Sequence, residues 1–172
     1  MVFTKIEDTW DDYLASGEAL EKEFLALLQG LYPKSFKIEG NYKYADIKIP
    51  EIKKMVEVKR DLKSDETQNF AFEFEFKGEA SGLTSTKADL WVMADSQKFY
   101  IFSTERLKDF FRENWEHVKK VKGGDSGDAK MILVRKFQIS NQSFCASFKR
   151  GDLFSVQRLK GAINFLLGVE EA

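Results

Sequence analysis

In residues 44–61, YADIKIPEIKKMVEVKRD, an isolated acid, Asp46, precedes two β-type runs, and the second run carries Glu57-Val58-Lys59. Side chains alternate between the faces of a strand, so Glu57 and Lys59 point one way and Val58 the other. If runs 44–49 and 55–59 pair as a hairpin across 50–54, Asp46 reaches the same end of the sheet. Two acids and an amine then converge. Mg²⁺ takes hard oxygen ligands, commonly one or two carboxylates completed by water and substrate phosphate oxygens, so Asp46 and Glu57 are a sufficient protein contribution. A lysine beside them can hold an attacking water and offset charge that builds on a phosphorus centre. Taken alone, Glu-x-Lys on a strand is more often a solvated polar face, and both readings stand at this point.

An Asp on one strand, Glu-x-Lys on the next about ten residues later, and an upstream helix bearing a Glu together resemble the PD-(D/E)xK nuclease superfamily. The matching positions are Asp46, Glu57 and Lys59, with Ala45 where the motif has a Pro that does no chemistry. The resemblance implies an α/β, restriction-endonuclease-like fold, a central mixed β-sheet flanked by helices. It also implies Mg²⁺ or Mn²⁺ on Asp46 and Glu57, a nucleophile positioned or activated by Lys59, DNA as substrate, and a homodimer that cuts symmetrically. The spacing Gly17-x-x-x-Glu21 is similar to the start of archaeal Holliday-junction resolvases, which makes Glu21 the acid that completes the cluster. As ordinary helix residues, Glu18, Glu21 and Glu23 are equally consistent with a solvated face. The segment from Ser81-Gly82 through Thr86-Lys87-Ala88-Asp89 to Trp91 is similar to phage-encoded members. That similarity makes Lys77, Ser81, Thr84, Thr86 and Lys87 candidate DNA contacts, since positioning contacts need only donors. Alternatively, Thr84 or Thr86 caps a short helix and Asp89 orients the turn.

Length and composition are consistent with this frame. At 172 residues and 43% hydrophobic content the chain suits a single domain, 1–172, with a core able to fold alone. It has no apolar run of membrane-spanning length and no charged-then-apolar leader, so a cytoplasmic protein without a membrane contact is expected. The single cysteine, Cys145, lies in an apolar alternating run where burial is the default, and it is given no catalytic role. The one histidine, His117, sits in a charged segment with a helical pattern and no metal-binding neighbour, which disfavours a zinc site or a serine-type triad. A net charge of -1 does not announce a nucleic-acid binder, although phosphate contacts depend on local Lys and Arg more than on the total.

Periodicity predicts a helix over 9–31, interrupted or bent at Gly17, and a short strand over 36–38. The polar stretch 61–69 reads as a loop. In 70–78 four phenylalanines alternate with Ala71, Glu73, Glu75 and Lys77, giving a strand with one aromatic face. The polar face points either to solvent or beside Glu57. Strands are expected over 90–94 and 98–102, joined at Asp95-Ser96-Gln97, then a helix over 104–121 with Thr104 as its N-cap. Residues 123–130 form a loop, 130–139 and 143–148 a strand hairpin, and 155–167 a final helix ended by Gly168. Neither a dinucleotide-binding GxGxxG nor a P-loop is present.

Overall fold

The computed structural model describes residues 10–40, 42–124 and 126–169, with side chains from residue 17 onward. Thr9 and the side chains of Trp10, Tyr13 and Leu14, which enter the expected first helix, lie outside the described residues. Helix α1, Trp10–Leu31, runs through Gly17 without a break and buries Leu20, Phe24 and Leu28 at every fourth position. Three strands follow: β1 Phe36–Lys37, β2 Ile47–Ile49 and β3 Lys54–Arg60. The last two form the expected antiparallel hairpin, with Ile47 opposite Val56. Its turn is a 3-10 segment, Pro50–Ile52, closed by Lys53 at φ 54°.

The supposed loop after β3 contains a short helix, α2 Lys63–Thr67. Asp61 pins its start, accepting the Ser64 N–H at 3.2 Å on its side chain and the Ser64 hydroxyl at 2.6 Å on its carbonyl. Strands β4 Asn69–Phe76 and β5 Glu79–Ala80 come next, then a 3-10 turn, Gly82–Thr84, and the hairpin of β6 Leu90–Ala94 and β7 Lys98–Ser103. Asp95 holds that hairpin's turn by accepting the N–H groups of Gln97 and Lys98 at 2.8 and 2.7 Å. The remainder is α3 Thr104–Glu113, β8 Lys119–Gly123, β9 Ala129–Arg135, α4 Lys136–Ser140, β10 Cys145–Lys149 and α5 Ser155–Leu167.

The strands form two sheets. The first is mixed, in the order β1-β2-β3-β6-β7-β10, and the second is antiparallel, in the order β5-β4-β9-β8. The pair β3 and β6 is parallel, and the crossover between them carries α2, β4 and β5. All five residues of β6 are buried because both faces of the first sheet are covered. Leu90 and Val92 join Val56 and Val58 against Phe24 and Leu28 of α1 and Leu159 and Ile163 of α5. Trp91 and Met93 point the other way, into a cluster with Phe70 and Phe72 of β4, Ile132 of β9, and Leu107 and Phe111 of α3. The fold is therefore α/β with a mixed sheet and helices, with a second sheet packed on one side.

Four local expectations are corrected. Helix α3 ends at Glu113, and Lys119–Gly123 is a strand: pairing with β9, Val121 opposite Met131, overrides a stretch of poor helical pattern. His117 lies in the intervening turn, its N–H on the Asn114 carbonyl at 2.8 Å. The N-cap of α3 is Ser103, while Thr104 is inside the first turn and buried. The strand begun near Lys130 stops at Arg135, and α4 carries the chain from the second sheet to the first, where β10 lies beside β7. So 130–139 and 143–148 are not a hairpin. Finally, the aromatic face of β4 is broken by a bulge between Glu73 and Glu75, which places one extra residue against β9. Phe70 and Phe72 are buried and Phe74 packs against them, whereas Phe76 is 39% exposed. The glycine-rich stretch 123–130 turns β8 into β9, with Asp125 outside the described residues.

Candidate functional site

The sheet register brings Asp46, Glu57 and Lys59 together. Ile47 faces Val56 on the helix-covered side, so the residues one step away, Asp46 and Glu57, share the other side. Asp46 bonds to β3 twice: its N–H donates to the Val56 carbonyl at 2.9 Å, and its Oδ2 accepts the Val58 N–H at 2.7 Å. Glu57 is 6% exposed, and its Oε1 lies 2.6 Å from Lys59 Nζ. Its other oxygen, Oε2, is buried and has no hydrogen-bond partner among the described residues. Trp91, paired with Glu57 across the parallel ladder, lies under Lys59, whose Nζ is 5.9 Å from the ring centroid. Glu21 of α1 is paired with Lys37 of β1 at 3.0 Å.

Electrostatics bind these groups into one unit. Burial, then the charge of Glu57 and more weakly that of Glu21, push the Asp46 carboxyl up to about 6, against the opposing pull of the Val58 N–H and Lys59. At Lys59 burial alone would favour the neutral amine, but Glu57, Asp46 and Glu73 outweigh it and raise the amine above its ordinary value. Although 45% of the Lys59 side chain is open to solvent, its charged end is hemmed in by carboxylates. Lys59 is thus an ammonium at neutral pH, a donor and counter-charge and not a base. Cys145, by contrast, has its thiol pushed up to about 12 by burial, so it supplies no thiolate.

An unpartnered buried carboxylate oxygen beside a second carboxylate held at elevated pKa fits a hard divalent cation. Asp46 and Glu57 are the residues that would hold it. Two carboxylates completed by water and phosphate oxygens are a donor set such a cation accepts.

Glu57 and Lys59 do not stand on an open face, and Asp46 is half-buried beside them, outside the cleft lining. Glu57 and Lys59 line a cleft of about 590 Å³, opposite Ala71 and Glu73 of β4 and the Ser81-Gly82 turn. The Ser81 hydroxyl donates to Glu73 Oε1. Gly82, at φ +52°, sits so close that any Cβ would collide with the Glu73 backbone, so the turn and the strand form one wall. Glu73 therefore continues the acidic surface from a different sheet, which strand alternation alone did not reveal.

Of the expected DNA-contact residues, Ser81 and Thr84 form a reciprocal cap on the 3-10 turn. Thr86 is buried, its hydroxyl on the Tyr44 carbonyl at 3.0 Å. Asp89 accepts the Met55 N–H at 2.9 Å and faces Lys54 Nζ at 3.2 Å, orienting the turn into β6. Lys77 and Lys87 are exposed, Lys77 Nζ 5.4 Å from the Phe76 ring and Lys87 Nζ 4.6 Å from the Tyr44 ring. Sequence reasoning missed Lys37, the partner of Glu21, and the lining residues Lys43, Lys63 and Phe76; Phe76 was hidden by the bulge.

No protein-family model matches the chain, and a search of curated proteins returns no match. Among the described residues no helix is long and apolar enough to cross a membrane.

The elevated Asp46 value makes a stability prediction. Its contribution to folding is fully present below the unfolded carboxyl value near 3.9 and is lost as pH rises through about 6. A rise from 3.8 to about 6 is equivalent to about 3 kcal/mol, which screening at a partly exposed group reduces to about 1–2. Asp46→Asn is therefore expected to stabilise the metal-free protein by about 1–2 kcal/mol at pH 7.5 and to leave it unchanged at pH 4. Urea titrations at the two pH values measure this, and an unstabilised variant at pH 7.5 refutes it.

Proposed function

We propose that the protein is a metal-dependent deoxyribonuclease of the PD-(D/E)xK type, with a restriction-endonuclease-like core, that hydrolyses phosphodiester bonds in phage-type DNA processing or recombination. The observation that supports this best is the pairing of Asp46 and Glu57 on neighbouring strands, with Glu57 Oε2 buried and unpartnered and Lys59 2.6 Å from Oε1.

Asp46 and Glu57 would hold Mg²⁺ or Mn²⁺; Glu21, the third acid that the resemblance implies, is paired with Lys37 and would have to exchange that partner to join them. The bound cation supplies Lewis-acid polarisation of a phosphate oxygen and a lowered pKa for coordinated water. Lys59, fully protonated, orients the attacking water by donating to its oxygen and offsets negative charge on the phosphoryl oxygens. The Val58 N–H fixes one Asp46 oxygen at 2.7 Å, so that carboxylate is positioned before any substrate arrives. The buried Trp91 ring under Lys59 excludes water from one side of the ammonium.

The test is calorimetry with Mn²⁺ on the purified protein and on Glu57→Gln, together with Mg²⁺-dependent cleavage of linear, single-stranded, supercoiled and four-way DNA. Binding to the unaltered protein that Glu57→Gln weakens at least ten-fold, with cleavage of at least one DNA, is the expected result. Mn²⁺ binding indifferent to Glu57 and no cutting of any DNA would leave only a non-catalytic module with this fold.

A further inference from the structure

We infer that the cleft takes an unpaired DNA strand and not an intact duplex, an inference that rests on the nuclease reading and specifies its substrate.

Charge is sorted by depth in the cleft. Glu57 is buried and Glu73 partly so, whereas Lys43, Lys59 and Lys63 are exposed. Asp61 and Glu79 also line it, but the Asp61 side chain is occupied by the Ala71 and Ser64 N–H groups at 2.9 and 3.2 Å. Glu79 is the exposed acid among them; with Glu57 at the bottom and three lysines towards solvent, the cleft suits a cation below and a phosphodiester backbone above.

Size points the same way. About 590 Å³ is the volume of a pocket for one small molecule, enough for a nucleotide and its flanking phosphates. A duplex, whose major groove alone is about 12 Å across, does not fit whole inside a space of that size and would have to present one strand to it. Yet the phosphate must descend, because only 8% of the Glu57 side chain is accessible and ligand distances to a divalent cation are about 2.0–2.6 Å. A single strand bends into the cleft alone. A strand held by its complement does not.

The aromatic groups in and beside the cleft agree: Phe76 lines it, and Tyr42 and Tyr44 stand outside it next to the lining residue Lys43. The β4 bulge delivers Phe76 to the cleft with its ring 39% exposed, and Lys77 Nζ lies 5.4 Å from the centroid. At Lys43 a second pair repeats the arrangement: its Nζ is 5.5 Å from the Tyr44 ring, which meets Tyr42 edge-on at 5.5 Å. An aromatic face beside an amine is the device by which proteins hold unpaired bases, since paired bases already stack on their neighbours.

The experiment is fluorescence anisotropy with a labelled 20-nucleotide strand and the matching duplex, Ca²⁺ replacing Mg²⁺, followed by cleavage of both in Mg²⁺. The single strand is expected to bind at least ten-fold more tightly than the duplex. Phe76→Ala and Lys63→Glu, checked for unchanged melting, are each expected to weaken strand binding about ten-fold and duplex binding little. Equal or tighter duplex binding, or strand binding indifferent to both substitutions, overturns the inference. Cutting of duplex alone overturns it while the nuclease reading stands. A strand preference without any metal-dependent cutting sinks the nuclease reading and keeps the binding specificity.

Discussion

Lys136→Met is expected to destabilise the fold by about 3–5 kcal/mol, the usual consequence of removing one member of a buried ion pair. Lys136 Nζ lies 2.9 Å from Asp95 Oδ2, and the two side chains are only 9% and 5% exposed. The pair joins the two sheets, because Asp95 follows β6 of the first and Lys136 follows β9 of the second. Methionine matches the volume of the lysine stem but leaves the carboxylate with the Tyr100 hydroxyl at 3.2 Å and two turn N–H groups. Those three bonds put the cost nearer the lower end of the range.

Burial alone would raise the Asp95 carboxyl; Lys136 and the Gln97 and Lys98 N–H groups outweigh it and hold it below its ordinary value. The pair's contribution is therefore present above the unfolded carboxyl value near 3.9 and is lost as pH falls through the lower folded one. Urea denaturation at pH 7 measures the loss. Adding Asp95→Asn to Lys136→Met should recover part of it, because no uncompensated charge then remains buried. A double variant less stable than the single one would show that the ion pair is not the cause.

At the cleft, Lys59→Met is expected to lower the rate of Mg²⁺-dependent cleavage by about 10²–10³, the range for loss of one preorganised donor. Mn²⁺ affinity should hold or rise, because the substitution releases Glu57 Oε1 from its 2.6 Å ion pair. This split, chemistry lost and metal kept, distinguishes a residue acting on the nucleophile from one that merely holds Glu57 in place. Single-turnover cleavage and calorimetry on the same preparation give both numbers. A variant that loses metal binding in proportion to its rate would reduce Lys59 to a support for Glu57.

The floor of the cleft was legible because it depends on short-range rules. Alternation put Glu57 and Lys59 on one side of a strand, and a short connection, four residues in the structure, makes the hairpin that carries Asp46 to them. Helices α1 and α5 were legible from their apolar stripes, and β6 and β7 from their apolar runs about an Asx turn. Relations set by partners distant in sequence were not legible. Lys119–Gly123 becomes a strand only because β9 lies beside it, and the chain enters α4 with Lys136 turned inward to Asp95. Nothing in FAFEFEF marks the bulged residue, since the phase shift is a property of the pairing with β9. For the wall opposite Lys59 the sequence left two readings open, solvent or beside Glu57, and the packing of the second sheet decides for Glu73.

That wall belongs to the crossover between the parallel strands β3 and β6, and both ends of the crossover are tied to the first sheet. The Asp61 N–H bonds the Ala94 carbonyl at 2.9 Å, and the Asp89 N–H bonds the Met55 carbonyl at 2.8 Å. Between these two clamps the chain leaves the first sheet, builds β4 and β5, and returns without contributing a carboxylate to the Asp46–Glu57 pair. Asp46, Glu57 and Lys59 are carried by one segment and the opposing surface, with Glu73, by another. On the proposed nuclease reading, changes at the exposed positions 76–80 would alter which nucleic-acid shapes are admitted while leaving Asp46, Glu57 and Lys59 in place, which makes the tip of the crossover the variable part of a fixed chemical base.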